Sequence, residues 1–424
     1  MIEEIQKRPF VRPLLFFILG ILIQTFFQAW FLAGGLLLFS FLLLLLSFAM
    51  FYQEDSFFRF DTRWVWGVNF AFVILSLSII ITCLTEKRSF YPAKVSVIER
   101  KAQETRQALV ESIDHLSLSD TEKSVLATLT LGYKQVLTRE IREKFSATGV
   151  SHILAVSGFH VAVVCSFLSF LLSIFSRNQF SVWLKYLLTM VLLWSFVYLT
   201  GLAASAVRAG LMLSFYLTGR VLQRNSDSYN TLAAAAFCML AYNPIYLFDI
   251  GFQLSYIAVF FILYLRPRFN VSMEIRNPLL SNPWQWVVMA IAAQIGTTFL
   301  CLYYFGRFSL VFLFTNLPVM LFSTFLIPAG LLWLFLPSWI PGYGWLQTFV
   351  EWLTRALVRT VDLFHSLPGA SVQFDFDLFS LLTGYGMLLL FLYYMHSKKP
   401  RILLIALFLL LTLILIRLIQ RIML

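Results

Sequence analysis

Long apolar runs constrain the fold of this chain more than any other feature of its sequence. The stretches at 14–31 and 401–420 are each long enough to cross a bilayer as a helix. Charged residues make up 12% of the chain, whereas a soluble domain carries about 25%. The sequence therefore predicts an all-α polytopic membrane protein of about eleven to twelve transmembrane helices, each built from roughly 20 apolar residues.

Polar residues divide the chain into four predicted segments. These are N-terminal transmembrane helices at 1–84, an external segment of amphipathic helices at 85–150, a transmembrane core at 151–336, and an interfacial helix with two transmembrane helices at 337–424. Lys7, Arg8 and Arg12 precede the first apolar run, and cytoplasmic flanks of membrane helices are rich in such residues. We therefore expect a multi-pass protein of the cytoplasmic membrane with its N-terminus inside the cell.

The later loops agree with this orientation. Basic residues occur in the loops that the span count places inside, at Arg177, Arg220, Arg224, Arg266, Arg268 and Arg276. In the external segment, Ser119 and Glu122 form a capping-box pattern that predicts a helix start. In the last segment, Glu351 and two arginines fall on one face of residues 345–365. This pattern predicts an amphipathic helix in the outer membrane interface.

The run at 308–336 is too long for one simple span and too short for two. Asn316, Pro318 and Pro328 interrupt it. A single crossing would place the basic sequence at 396–401 outside, against the positive-inside rule. We therefore expect a broken or re-entrant hairpin that returns to the same side. Irregular backbone at membrane depth is tolerated only where protein or a wet cavity satisfies it, so this element is predicted to line a cavity.

Polar residues inside spans are costly and indicate candidate functional sites. The first group comprises His152, Ser157, Gly158 and His160. The histidines are not three or four residues apart, so one straight helix would not aim both at a metal. Ser157 and Gly158 are expected to break the helix and to free backbone groups. A simpler alternative is a serine bonded to the preceding turn, with His152 at the membrane interface. Spacing alone favours that alternative for His152 and leaves His160 open.

Two further groups surround an intramembrane arginine. Arg208 follows Ser205 in a stretch rich in glycine and alanine, and small residues allow close helix contact. Asp249, Gln253 and Tyr256 have the spacing of residues that share one helix face. An arginine inside a membrane bundle needs a carboxylate, carbonyls, water or a passing anion. The simplest of these alternatives is a buried ion pair with Asp249.

The remaining polar pair, Gln294 and Asn316, is a weaker signal because each amide is equally suited to a hydrogen bond between helices.

The net charge of +11 suits either anionic lipid or a polyanionic cargo. The four cysteines are scattered through apolar runs, without the spacing of a metal site or a disulfide framework. No phosphate-binding loop is present. The sequence therefore predicts no cofactor, no metal and no catalytic residue.

Several stretches, taken in order from about residue 100 to 335, resemble the ComEC family of competence proteins. The family's HLLAISGLH signature is matched by SHILAVSGFHV, and its small-residue and arginine helix by SAVRAGLM. Its DxGFQLS segment is matched by NPIYLFDIGFQLSYIAV. Its later Gln and Asn stretch is matched by AAQIGTTFLCLYYFGRFSL followed by TNLP.

The resemblance implies a channel, and not an enzyme, that carries single-stranded DNA across the cytoplasmic membrane during natural transformation. It implies a path lined or shaped by His152, Ser157, Gly158, His160, Ser205, Arg208, Asp249, Gln253, Gln294 and Asn316. The implied partners are single-stranded DNA, membrane lipids, and a separately encoded nuclease, DNA receptor and cytoplasmic helicase or ATPase. Many relatives carry an OB-fold-like insertion and a C-terminal metallo-β-lactamase-like domain. Neither has a counterpart in this sequence, so we expect a short form without nuclease activity.

Two other classes of function stay open. Ser157, with His160 or His152 as its base, has the residue types of an intramembrane hydrolase, in which an adjacent base activates a hydroxyl nucleophile. The other class is a transporter of a small anion, with the broken element at 308–336 near its midplane.

Overall fold

A computed structural model describes residues 8–52, 63–89, 97–174, 178–223, 227–272 and 278–423. These residues form seventeen α-helices and one two-stranded sheet. Three of the loop arginines named from the sequence, Arg177, Arg224 and Arg276, lie outside the described residues, as does Lys7.

The helices follow one another with short connections. The first eight are α1 (Val11–Phe27), α2 (Trp30–Tyr52), α3 (Arg63–Ser89), α4 (Val97–Ile113), α5 (Asp120–Leu131), α6 (Arg139–Ala147), α7 (Ser151–Leu154) and α8 (Gly158–Leu171). The next five are α9 (Gln179–Leu199), α10 (Ala204–Val221), α11 (Ser228–Tyr242), α12 (Ile250–Ser272) and α13 (Pro278–Phe305). The remainder are β1 (Arg307–Ser309), α14 (Phe312–Phe335), α15 (Tyr343–His365), β2 (Ser371–Gln373), α16 (Leu378–Ser397) and α17 (Pro400–Met423).

Many of these helices are long and apolar enough to cross a membrane. Within the described residues, six such spans are Val65–Lys87, Gln179–Leu199, Ile250–Phe269, Pro283–Phe305, Phe312–Phe335 and Leu378–Ser397. Shorter apolar helices occur at Val11–Phe27, Trp30–Leu46, Gly158–Ile174 and Pro400–Thr412. A helix satisfies its own backbone, which is the requirement for a segment in hydrocarbon. The predicted all-α polytopic membrane fold is confirmed.

The chain divides into two compact units. Unit 1 comprises Met1–Leu137, Ile153–Tyr256 and Ser323–Thr354, and unit 2 comprises Thr138–His152, Ile257–Phe322 and Arg355–Leu424. Each unit is assembled from segments distant in sequence, so packing crosses the boundaries of the four segments drawn from the sequence. That four-segment division stays a prediction.

The core of unit 1 forms where α8, α9 and α10 pack together. Val161, Leu193 and Phe196 are fully or almost fully buried there, against the small residues Ala206 and Ala209 of α10. Small side chains let helix backbones approach closely, which is the main route to tight helix packing in a membrane. The small-residue stretch therefore packs as the sequence predicts. A second cluster in the same unit joins α1 to α11 and to the start of α12.

The helix α5 begins as predicted but is buried along its second half. Ser119 Oγ accepts the Glu122 N–H, and Glu122 Oε2 accepts the Ser119 N–H, which completes the capping box. Every residue of Val125–Leu131 is buried in unit 1. Thr130 satisfies its hydroxyl by donating to Leu126 O at 2.7 Å. The sequence predicts external amphipathic helices and does not predict this burial, which only the packing of unit 1 shows.

The predicted amphipathic helix at 345–365 is present as α15, and Glu351 of its polar face is buried in unit 1. Glu351 is 7% exposed, and its Oε1 accepts the Ser117 N–H at 3.0 Å. Phe349 and Trp352 are 43% and 56% exposed. Tryptophan is enriched at membrane interfaces, so the exposed aromatic side is the one suited to lipid. Its place in the outer interface stays a prediction.

The predicted break within 308–336 is wrong. Residues Phe312–Phe335 form one continuous helix, α14, and the irregular part of the run is confined to β1 and the residues just before this helix. Pro318 and Pro328 lie inside α14. Each proline removes a single backbone hydrogen bond, and transmembrane helices tolerate this because neighbouring groups compensate. A full break in an apolar environment would leave many more backbone groups unsatisfied.

Unit 2 is organised by contacts between glycines and aromatic rings. A Cβ placed on Gly296 would lie 2.7 Å from the Phe261 ring, and one on Gly384 would lie 2.6 Å from the Phe299 ring. Tyr385 Oη donates to Gly296 O at 2.8 Å, which joins α16 to α13. The strands β1 and β2 pair antiparallel in the same unit. These contacts require glycine at both positions because any side chain would overlap a ring.

Candidate functional site

The helix break predicted at Ser157 and Gly158 is confirmed. The short helix α7 ends at Leu154, and α8 begins at Gly158 with Ser157 as its extended N-cap residue. The Ser157 N–H donates to His160 Nδ1 at 3.3 Å, and Ser157 Oγ lies 3.0 Å from the same nitrogen. His160 is completely buried. The His160 imidazole therefore stabilises the break through its contacts with Ser157.

This arrangement explains why a histidine occupies the third position of α8. In a capping box a Glu or Gln at that position accepts the backbone N–H of the N-cap residue, and the His160 ring takes this role. Because Nδ1 accepts an N–H, a neutral ring carries its proton on Nε2. His160 thus satisfies one backbone donor that the break would leave buried.

The helix α10 satisfies the backbone carbonyl freed by the same break. Ser205, in the first turn of α10, donates its hydroxyl to Val156 O. A Cβ placed on Gly158 would lie 3.7 Å from Ala209 Cβ, so the start of α8 lies directly against α10. Ser205 and Ala209 are four residues apart and share one face of α10. This face supports the interrupted segment.

A second interruption in unit 1 lies between α11 and α12. A short 3-10 helix, Pro244–Phe248, connects them. Asp249 follows it in an extended conformation, and its Oδ1 accepts the Phe252 N–H at 2.7 Å. Gln253 Nε2 donates back to Leu247 O at 3.0 Å. The prediction that Asp249 shares a face within a helix with Gln253 is wrong, because Asp249 stands before α12 and caps it.

Arg208 connects α10 to this second interruption. Its side chain is buried, with 3% of the residue exposed. Its Nη2 donates to Gly251 O at 2.9 Å, and its Nη1 lies 3.8 Å from Asp249 Oδ1. Its Nε has no hydrogen-bond acceptor among the described residues. The predicted pair with Asp249 is present, but at 3.8 Å it is too long for a hydrogen bond.

The geometry leaves the positive charge of Arg208 only partly neutralised. The Asp249 side chain is 49% exposed while that of Arg208 is 4% exposed, so the carboxylate faces more open surroundings than its partner. A Cβ on Gly251 would lie 3.2 Å from Asp249 Oδ1 and 3.5 Å from Arg208 Nη2. Glycine at this position therefore leaves room for the guanidinium beside the start of α12.

The ten residues named from the sequence fall into both units. Unit 1 contains Ser157, Gly158, His160, Ser205, Arg208, Asp249 and Gln253, and unit 2 contains His152, Gln294 and Asn316. His152 is exposed at the start of α7. Gln294 Nε2 donates to Thr298 Oγ1 one turn later in its own helix, at 3.4 Å. Asn316 is 8% exposed, and its Oδ1 finds no donor among the described residues.

Sequence reasoning missed the two backbone carbonyls that organise the site, those of Val156 and Gly251. Their signal was present in the sequence, because Val156 directly precedes the break at Ser157 and Gly251 follows the capping residue Asp249 by two positions. Among the described residues, no group of three or more His, Cys, Asp or Glu side chains could hold a metal ion.

A family comparison identifies the class of protein to which this constellation belongs. The sequence profile of the family described as Competence protein matches residues 129–399. The chain belongs to this competence family. All ten residues named from the sequence lie inside the matched region, as do both interrupted segments.

One curated relative of this competence-family chain is ComE operon protein 3 of Bacillus subtilis (strain 168). The two are 27% identical over 247 residues, which is 56% of this chain and 30% of the relative. The chain thus spans about a third of the length of the curated relative it matches. No solved structure matches the chain.

Proposed function

We propose that this chain forms a membrane path for single-stranded DNA during natural transformation. The observation that supports this best is Arg208, a buried cation in an apolar helix bundle whose nearest carboxylate oxygen is 3.8 Å away. A phosphodiester passing this point would supply the acceptor oxygens that a guanidinium binds in a bidentate manner. Membership of the competence family supports DNA as the anion.

The physics of the cargo fits an interrupted helix bundle. A single strand is a polyanion and needs a wet, basic path instead of hydrocarbon. Two interrupted segments contact α10 at residues three apart, one at Ser205 and one at Arg208. Interrupted helices are tolerated at membrane depth where protein or a wet cavity satisfies their backbone groups, and a wet path beside these two segments is part of the proposal. We propose that the seven predicted residues of unit 1 line or shape the path, and that His152, Gln294 and Asn316 contribute as the family resemblance implies.

The setting proposed for this path is the cytoplasmic membrane, with the N-terminus inside the cell. The basic residues before α1 support this orientation. The proposed partners are membrane lipids, a separately encoded nuclease, a DNA receptor and a cytoplasmic helicase or ATPase. The chain is proposed to act as a channel and not as an enzyme.

Deletion of the gene in a naturally transformable host is the primary test. We expect transformation by linear DNA to be abolished, while labelled DNA still binds the cell surface and fails to reach the cytoplasm. A plasmid copy should restore entry. Electroporation of the same DNA bypasses the path and should be unaffected. Normal transformation in the deletion strain would contradict the proposed function.

The distance of 3.0 Å between Ser157 Oγ and His160 Nδ1 favours a second candidate, an intramembrane hydrolase. The small-anion transporter loses its structural support because α14 is continuous. Ser157→Asn separates the hydrolase from the channel. Asparagine is a good N-cap residue whose amide can donate to His160, but it is not a nucleophile.

For the channel we expect Ser157→Asn to transform like wild type, and Ser157→Ala to lose about 0.5–2 kcal/mol of stability, the usual value of an N-cap side chain. Transformation frequency and thermal unfolding of the purified variants measure the two effects. Equal loss of transformation in both variants, with unchanged stability, would favour the hydrolase.

A further inference from the structure

A second arginine in unit 1, Arg106 on α4, contacts the turn that leads into α10. Its Nη1 donates to Thr200 O at 3.4 Å, and its guanidinium lies 5.3 Å from the centre of the Tyr133 ring. A Cβ on Gly201 would lie 2.6 Å from Nη1, so the guanidinium rests directly on this turn. The turn itself is tight, because Gly201 and Leu202 have φ values of 73° and 53°.

These contacts leave Arg106 short of acceptors. The bond to Thr200 O is long for a hydrogen bond from a charged donor. Its Nε is buried and has no acceptor among the described residues. It also forms no ion pair with any carboxylate in the described part of the chain. Burial lowers the pKa of the Arg106 guanidinium below its ordinary value, although an arginine stays charged at neutral pH.

Arg106 is partly buried, and an anion bound here would supply the acceptor that its buried Nε lacks. A buried donor without an acceptor costs about 1–3 kcal/mol, and more when it is charged. Phosphate oxygens match the planar fork of a guanidinium. An aromatic ring beside a cation is also the pairing that single-strand binding proteins use, with bases stacked on the ring and phosphates held by the cation.

Arg106 lies close to the helix that carries Ser205 and Arg208 of the site described above. The turn that Arg106 contacts leads into α10. Ser205 of α10 supports the α7–α8 break. Arg208 lies four residues after Ala204, the first residue of α10, which is about 6 Å along the helix axis. Gly132, the neighbour of Tyr133, also lies against Val156 and Thr200. Arg106 and Tyr133 therefore lie near the N-terminal end of α10, the end that also carries Ser205 and Arg208.

We infer that Arg106 and Tyr133 form a contact site for a phosphodiester of single-stranded DNA, in series with Arg208. This inference rests on the proposed function. Arg106 binds a phosphate oxygen pair, and Tyr133 offers a ring to the adjoining base. The site thereby adds one phosphate contact to the path at the start of α10.

Salt-dependent binding tests this site directly. The full chain, purified in detergent, would be titrated with a fluorescent oligothymidylate at a series of KCl concentrations. For single strands the logarithm of the binding constant falls with the logarithm of salt concentration by about 0.7 per phosphate contacted. We expect Arg106→Gln to reduce this slope by about 0.7, and Arg106→Lys to retain it.

Arg100→Gln is the matched control, because Arg100 lies on the same helix with its side chain 66% exposed and paired with Glu104 at 3.8 Å. It should leave the slope unchanged. If Arg106 only fastens α4 to the turn, Arg106→Gln will lower the melting temperature and leave the slope as in wild type, which overturns the inference while the proposed function stands. Wild-type protein that binds no oligothymidylate at any salt concentration would contradict both.

Discussion

Replacing Arg208 by glutamine is expected to lower natural transformation by about 10- to 100-fold. A hydrogen bond to a charged group contributes about 1.5–3 kcal/mol, and each 1.36 kcal/mol changes a rate about tenfold. Glutamine keeps a donor for Gly251 O, which Arg208 Nη2 contacts at 2.9 Å, but it removes the charge. The measurement is transformation frequency with linear marker DNA, in strains whose membranes contain equal amounts of the protein.

The same substitution at Arg220 provides the control. Arg220 lies on the same helix, α10, but at its other end, where it is exposed. Arg220→Gln should therefore transform like wild type. Arg208→Lys keeps the charge but loses the bidentate fork, so it should fall between the two. If Arg208→Gln reaches the membrane in normal amounts and transforms normally, Arg208 has a structural role and does not contact the DNA.

Replacing Gly132 by alanine is expected to destabilise unit 1 strongly. Gly132 ends α5 with φ at 67°, and a Cβ there would lie 2.7 Å from Val156 Cγ2 and 3.2 Å from Thr200 O. The left-handed backbone costs a residue other than glycine about 1–2 kcal/mol, and overpacking typically costs a further 1–3 kcal/mol. The melting temperature of the purified protein in detergent should fall accordingly.

Gly369 separates these two contributions. Its φ is 78°, and no atom lies within 4 Å of the position a Cβ would take. Gly369→Ala should therefore show the backbone cost alone and a clearly smaller loss of stability than Gly132→Ala. Equal losses in the two variants would contradict the close packing of Gly132 against Val156 and Thr200.

The helix break at Ser157 could be predicted because its signal is local. A serine followed by glycine weakens a helix wherever it occurs, and serine is a preferred N-cap residue. The groups that satisfy the interrupted backbone are harder to predict from the sequence. His160 lies within reach in sequence, but the Val156 carbonyl is satisfied by Ser205, 49 residues further along the chain. No spacing rule connects those two positions.

The two errors at membrane depth have one cause. Pro328 and Asn316 predict interruptions at 308–336, and the spacing of Asp249 predicts a residue within a helix. In the structure α14 continues through its prolines, while the helix around Asp249 is interrupted. Local propensity is a weak guide here because neighbouring helices can compensate for a missing hydrogen bond or supply a new one.

The membrane class, the helical architecture, the break at Ser157 and Gly158, and the polar candidate residues could all be predicted from the sequence. All of these depend on hydrophobicity, residue type and short-range spacing. The tertiary structure adds that Arg208 binds the Gly251 carbonyl and that its predicted partner Asp249 stays 3.8 Å away. It alone showed that α5 is buried and that Arg106 rests on the turn before α10. These features depend on which helices pack together, and in a membrane that choice is made by close contact between helices instead of by the burial of apolar surface from water.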